Sequence, residues 1–250
     1  MTIPAYLPYS VLIAAIAIIA TILIGLNRAL SRADWSAQER VGTVATMATI
    51  LGVWFAGAIA LSLTGIFQAA PDAIPTLQYG IILPILLGGA LIWRSPKVAR
   101  IIDAVPQSWI VGVQLYRAVG VMFLVLYTAG KLPGLFAWPA GIGDILVGVS
   151  APIVALAYAR SPARNGDLVS AWNWFGIGDL VIAVATGFMS SPSLIQPFAV
   201  EPPNLLITLY PLVLVPIFLV PLSILLHIAS LTKLRREATS PSTPKKTGRR

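Results

Sequence analysis

The chain has 250 residues, of which 57% are hydrophobic and 10% charged, and its mean hydropathy is +0.85. A soluble domain carries about a quarter charged residues, so this composition excludes an ordinary soluble fold and points to a membrane protein. With no cysteine and a single histidine, His227, it also excludes a disulfide framework, a thiolate metal site, a bis-histidine haem and a multi-histidine metal site within one chain. No cofactor and no metal are expected.

A span needs about 20 mainly apolar residues to cross a hydrocarbon core, and the chain offers seven such runs. The first, near 8–27, has no basic segment ahead of it and no soluble domain behind it, so it reads as a retained helix rather than a signal peptide. Arg28, Arg32 and Arg40 follow, then a second run near 42–66 and a third near 77–94 that contains Pro84. Arg94, Lys97 and Arg100 separate it from a fourth run near 109–130, which carries Arg117 inside it. The fifth and sixth runs lie near 137–159 and 168–190, with Arg160 and Arg164 between them and Asp144 and Asp179 inside them. The seventh, near 205–231, contains Pro211, Pro216 and Pro221 at five-residue intervals and is expected to bend, because each proline removes a backbone donor. The expected fold is therefore all-α, a polytopic bundle of seven transmembrane helices over residues 1–232, followed by a basic disordered tail over 233–250.

The net charge of +8 would suit nucleic acid, but its distribution is topological. Fifteen of the 17 basic residues fall on one side of this map, only Lys131 lies in a loop on the other, and Arg117 lies within a span. By the positive-inside rule the N-terminus faces outward and the C-terminus faces the cytoplasm. The expected partner is the lipid bilayer, with anionic lipid at the tail and not nucleic acid. A multi-pass membrane location follows, the cytoplasmic membrane if the source is bacterial.

An Asp or Arg near the middle of a span costs about 2.5–3.5 kcal/mol on insertion scales, so Arg117, Asp144 and Asp179 are expected to face inward. Ala140, Asp144 and Gly148 are spaced four apart, and Gly176, Asp179, Ala183 and Gly187 share one face. Small residues on the carboxylate face let a neighbouring helix approach closely. Gln114 and Gly120 share the face of Arg117. At 1.5 Å per residue, Arg117 lies about 12 Å and Asp179 about 16 Å from the inner boundary, with Asp144 about 4 Å further out. All three can meet in one cavity, where two carboxylates and one guanidinium leave a residual negative charge and one carboxylate able to take up a proton near neutral pH. The expected function is binding or transport of a small solute or cation, with proton coupling as one form of it, through Arg117, Asp144, Asp179, Gln114 and Asn173. Asp179 is then the proton or cation carboxylate and Asp144 the outer one. A structural or accessory subunit, in which the charges only set helix register, is the bland alternative. His227, four residues from the end of the seventh run, reads as a helix-end residue.

The aspartates stand in doubled frames, "GIGDILVG" from Gly141 and "GIGDLVIA" from Gly176. Gly141, Gly143 and Asp144, and again Gly176, Gly178 and Asp179, resemble the G-x-G-D motif of the aspartyl intramembrane proteases of the presenilin, signal-peptide-peptidase and prepilin-peptidase group. That resemblance implies Asp144 and Asp179 as a catalytic pair activating water. A retinal protein with seven helices needs a lysine in the last one, and residues 205–231 contain none.

Overall fold

In the structure, a computed structural model, residues 6–239 are described, and every regular element among them is helical. The helices are α1 (Leu7–Arg32), α2 (Ala37–Leu63), α3 (Leu77–Arg94), α4 (Pro96–Ala104), α5 (Gln107–Thr128), α6 (Gly134–Arg160), α7 (Pro162–Ser190) and α8 (Val215–Thr239). All except α4 are long and apolar enough to cross a membrane. Their outward faces carry large apolar side chains, among them Ile13, Ile16, Val53, Leu86, Leu87, Ile153 and Ile182. Soluble monomers rarely expose apolar patches beyond a few hundred Å², so these faces suit hydrocarbon. α8 is the most buried of the seven and packs against α3, α5 and α7, whereas α2 and α3 are the least buried.

Two of the helices are not regular. The middle of α5, Val113–Gly120, is a 3₁₀ coil of eight residues, although such runs seldom exceed three or four. The start of α8, Val215–Leu219, is a π-helical turn. The prolines explain the second irregularity, since Pro216 and Pro221 cannot donate to the carbonyl four residues back and a wider turn accommodates the loss. They also displace the seventh span. Residues 205–214 form turns with one short 3₁₀ helix, Leu206–Thr208, and the spanning helix begins ten residues later than the hydropathy run.

Two further differences concern polar segments. Between the third and fourth spans lies α4, capped by Ser95, whose hydroxyl accepts from the Val98 N–H at 3.3 Å, with Pro96 in the first helical position. It is too short for a 20-residue hydropathy window to register. At the other extreme, Lys233–Thr239, read from sequence as the start of the tail, continue α8. They are held there by contacts with α4 and α6. The remaining tail, 240–250, and the lipid contact expected of it lie outside the described residues.

Those contacts join the basic loops into one end of the bundle. Lys233 Nζ donates to the Asp103 and Ile102 carbonyls at 2.8 and 3.3 Å, where it satisfies the C-terminal turn of α4. Arg236 pairs with Asp103 at 3.0 Å, and the Tyr158 hydroxyl donates to Glu237 at 2.6 Å. α2 opens with a capping box between Ser36 and Glu39. The same Glu39 meets Arg100 at 2.9 Å, and Arg100 lies 4.0 Å from the centre of the Trp35 ring. Because Arg100 and Glu39 are about half exposed (50% and 47%), Arg100→Ala is expected to lower stability by no more than about 1 kcal/mol. Detergent-phase thermal melting measures this, and a larger loss would make this end the anchor of the fold. At the opposite end, Leu194 N–H donates to the Ala73 carbonyl and Ala69 N–H to the Thr208 hydroxyl, both at 3.1 Å, tying the α2–α3 loop to the α7–α8 loop.

Candidate functional site

Arg117, in the 3₁₀ segment of α5, is buried with its side chain 2% exposed, and its guanidinium is shared by two helices. Nε donates to Asp144 Oδ1 of α6 at 2.7 Å, and Nη2 donates to Asp179 Oδ2 of α7. Nη1 donates to the Gly176 carbonyl and faces His227 Nε2, each at 3.2 Å. The three charges expected to converge therefore do so, as one positive and two negative groups among apolar helices.

Helix approach explains why these residues stand in glycine frames. A Cβ on Gly143 would overlap the Asp179 carboxylate, and one on Gly120 would overlap Asp144. Each carboxylate thus rests where its neighbour has no side chain. The aspartate of the second frame is received by the glycine next to the aspartate of the first. A Cβ on Gly148 would collide with the backbone at Arg117 and Ala118, so this glycine lets α5 lie directly on α6. Around Gly178, by contrast, nothing lies within 4 Å of the same position. The doubled motif is not doubled in use.

Asn173 reaches the cluster through another residue. Its Nδ2 donates to the Val169 carbonyl at 2.7 Å and to Ser230 Oγ at 2.8 Å, which leaves Oδ1 as the acceptor for His227 Nδ1, also at 2.8 Å. His227 must then carry its proton on Nδ1 and present the Nε2 lone pair to the Arg117 N–H. From Arg117 the hydrogen bonds pass through His227 and Asn173 to Ser230, which Gln107 Nε2 joins at 2.6 Å. All of these side chains are buried. Sequence reading missed His227 because the run at 205–231 put it near a helix end. With α8 at Val215–Thr239 it lies at the midpoint, twelve residues from each end.

Gln114 is buried but lies apart from the charges. Its Nε2 donates to the Ser223 carbonyl of α8 at 3.1 Å, and its Oε1 has no partner. Tyr116 also bonds Ser223, through the two hydroxyls. These contacts hold the 3₁₀ segment against α8. Trp174, next to Asn173 in the chain, is exposed and takes no part in these contacts.

Two small cavities flank Asp144. One, of about 60 Å³, lies among α3, α6, α7 and α8, and the other, of about 50 Å³, is lined by Arg117, Tyr116, Gly120 and Ser223 as well. Asp179 lines neither of them. It borders an outward-facing groove between α6 and α7, floored by Gly143 and Gly178. Asp144 is also the more exposed carboxylate, at 17% of its side chain against 7%. Among the described residues no group of three or more His, Asp or Glu is placed to hold a metal ion.

No curated protein and no solved structure matches the chain. A family model, described as a domain of unknown function (DUF8737), matches residues 74–235. That range runs from the start of α3 nearly to the end of α8 and contains Arg117, Asp144, Asn173, Asp179 and His227. With more than half of its length matched, the chain belongs to the DUF8737 family.

Proposed function

We propose that this protein is a polytopic integral membrane protein, with its amino end outside and its basic carboxyl end in the cytoplasm, that binds and carries a proton or a small monovalent cation at the Arg117 cluster. The observation that carries this reading is the sharing of one buried guanidinium between two carboxylates, which leaves one negative charge in an apolar bundle. An isolated buried charge costs far more than a polar group, so the charge calls for a proton or a cation. His227 supplies none, since its Nε2 acts as an acceptor toward Arg117.

Geometry favours Asp144 as the carboxylate that takes the ligand, with Asp179 as the fixed partner of Arg117. This reverses the roles expected from depth alone. Asp144 opens onto two interior cavities, whereas the space that Asp179 borders is the outward-facing groove between α6 and α7. Size narrows the ligand further. Pockets for drug-sized ligands measure about 300–1,000 Å³, while cavities of about 60 and 50 Å³ suit a few water-sized species. A sugar or amino acid does not fit beside Asp144.

The aspartyl-protease reading is less well supported. It needs two carboxylates facing one water, yet none of these three spaces has both Asp144 and Asp179 in its wall. A purely structural triad remains the competing account, and stability measurements separate the two. The purified protein in detergent is melted over a pH series and against lithium, sodium, potassium and ammonium chlorides, beside Asp144→Asn. A ligand that binds the folded state raises its stability by RT ln(1 + [L]/Kd). The unmutated protein is expected to respond to acid or to one cation. In Asp144→Asn, where Arg117 and Asp179 neutralise each other, the response disappears and stability at neutral pH is retained. Equal responses in the two proteins would remove the binding function and leave a structural pair.

A further inference from the structure

The cavity beside Asp144 does not stand alone. At the end of the bundle remote from the basic loops, a third cavity of about 30 Å³ is lined by Gln68, Thr76, Ser191, Ser193 and Thr208. It shares Leu77 and Phe188 with the 60 Å³ cavity, which in turn shares Asp144, Phe123 and Leu180 with the one beside Arg117. Sharing these wall residues, the three cavities lie one beside the next, as a file from the α2–α3 and α7–α8 loops to the charged cluster.

Polar groups without protein partners line this file. Gln78 Oε1 and Ser193 Oγ are buried and lack any hydrogen-bond partner, although Gln78 Nε2 is fixed to the Pro75 carbonyl at 2.5 Å. Gln78 and Asp144 are the polar residues of the 60 Å³ cavity, whose other walls include Phe136, Ala140, Ala183 and Gly187. A buried unsatisfied acceptor costs about 1–3 kcal/mol, and a water needs only about 10–15 Å³ of such space together with polar partners. Each cavity of the file has room for water, and each has polar groups to hold it.

Direct hydrogen bonds between side chains fill the opposite direction. From Arg117 toward the basic end, His227, Asn173, Ser230 and Gln107 bond one another directly, at 2.6 to 2.8 Å beyond His227, and all are buried. An asparagine amide and a permanently charged guanidinium do not pass protons along, so these hydrogen bonds do not themselves conduct a proton, although Gln107 Oε1 at their far end is, like Gln78 Oε1, buried and without a partner.

We propose that a file of water molecules, received at Ser193 and Gln78, delivers a proton to Asp144 from the end of the bundle remote from the basic loops. The proposal rests on the binding reading above and assigns its access route, with Gln78 as the positioning residue at the mouth of the inner cavity. The arrangement is that of a site reached from one side.

The chain has no native cysteine, so single thiols test the route directly. Ala140 and Ala151 both lie on α6 and are nearly or fully buried (2% and 0% exposed), but only Ala140 lines the file, while Ala151 packs with Val111 and Val147. Silver ion, which follows water-filled paths and binds thiolate, is added to the folded variants in detergent. After unfolding, the thiols left free are alkylated and counted by mass. Ala140→Cys is expected to be captured quickly and Ala151→Cys to stay free. Adding Gln78→Leu to Ala140→Cys should slow capture on the order of tenfold, the equivalent of about 1.4 kcal/mol and of one hydrogen bond to the file.

Equal capture at both positions, no capture at either, or no effect of Gln78→Leu would overturn the proposed route. Thermal melting of each variant confirms that a folded protein is being read. Silver capture reports water access and not proton uptake, so its failure is distinct from failure of the Asp144→Asn comparison. A response to acid or to a cation without capture rejects this route alone, capture with a cation response but no response to acid overturns proton delivery, and capture without either response rejects the binding reading.

Discussion

Replacing Arg117 with leucine is expected to destabilise the protein by about 3–5 kcal/mol, a large part of the 5–15 kcal/mol that holds a typical domain together. The cost comes less from losing attraction than from abandoning two carboxylates that have no other ion-pair partner among the described residues. Arg117 is the shared donor for Asp144 and Asp179 and also satisfies the Gly176 carbonyl and His227 Nε2. Neutralising the stranded groups should therefore restore much of the loss. The triple variant Arg117→Leu, Asp144→Asn, Asp179→Asn is expected to melt well above Arg117→Leu alone, because replacing a whole buried ion cluster is often close to neutral. Denaturant or thermal unfolding of the unmutated protein and these two variants measures the effect. A triple variant no more stable than the single one would mean that the shape of the guanidinium matters here more than its charge.

Helix contact supplies the second large effect. Gly148→Ala places a methyl group on the backbone of Arg117 and Ala118, which cannot rotate away as a side chain could. Gly143→Ala displaces the Asp179 carboxylate from its seat. Overpacking typically costs about 1–3 kcal/mol, occasionally more, and Gly148→Ala is expected at the upper end because α5 and α6 must separate. Gly178→Ala is the internal control. It belongs to the same repeated frame, yet its added methyl group meets nothing within 4 Å, and alanine is the better helix former by about 1 kcal/mol. It should leave stability unchanged or raise it. Equal losses at Gly143 and Gly178 would show that the frame matters as a repeated motif and not through the contacts seen here.

These contacts also mark how far the sequence could be read. Six of the seven spanning helices lie close to their hydropathy runs, since a long apolar segment with few charges is a signal carried by composition alone. The inward facing of Asp144 and Asp179 was legible from the small residues at helical spacing around them. Which glycine receives which aspartate was not, because the order and rotation of helices in a bundle are set by interhelical packing that no single helix encodes. Gly143 and Gly178 look alike in the chain and differ only in what stands opposite.

The misplaced seventh span had the wider consequence. Residues 205–214 are as apolar as a span, and hydropathy does not distinguish apolar turns from apolar helix. The prolines at 211, 216 and 221 were legible as a bend but not as a boundary. A start ten residues later and an end at Thr239 instead of 231 moved His227 from an end to the middle of the helix and with it the partner of Asn173. Gln114 shares the face of Arg117, as residues three apart in a 3₁₀ coil do, but its amide reaches the Ser223 carbonyl of α8 and not the charges. Charge and small-residue patterns thus located the cluster, while backbone irregularity around it decided which neighbours joined.

Infrared titration of the carboxyl groups tests the residual charge of the cluster most directly. In the unmutated protein one protonated-carboxyl band is expected to appear as pH falls within the folded range, or to be suppressed by the cation that replaces the proton. Because Arg117 can neutralise only one carboxylate, the band should vanish in Asp144→Asn and equally in Asp179→Asn, each of which leaves a neutral pair. A band that persists unchanged in both variants, or a protein that takes up neither proton nor cation at any pH at which it stays folded, would contradict the account.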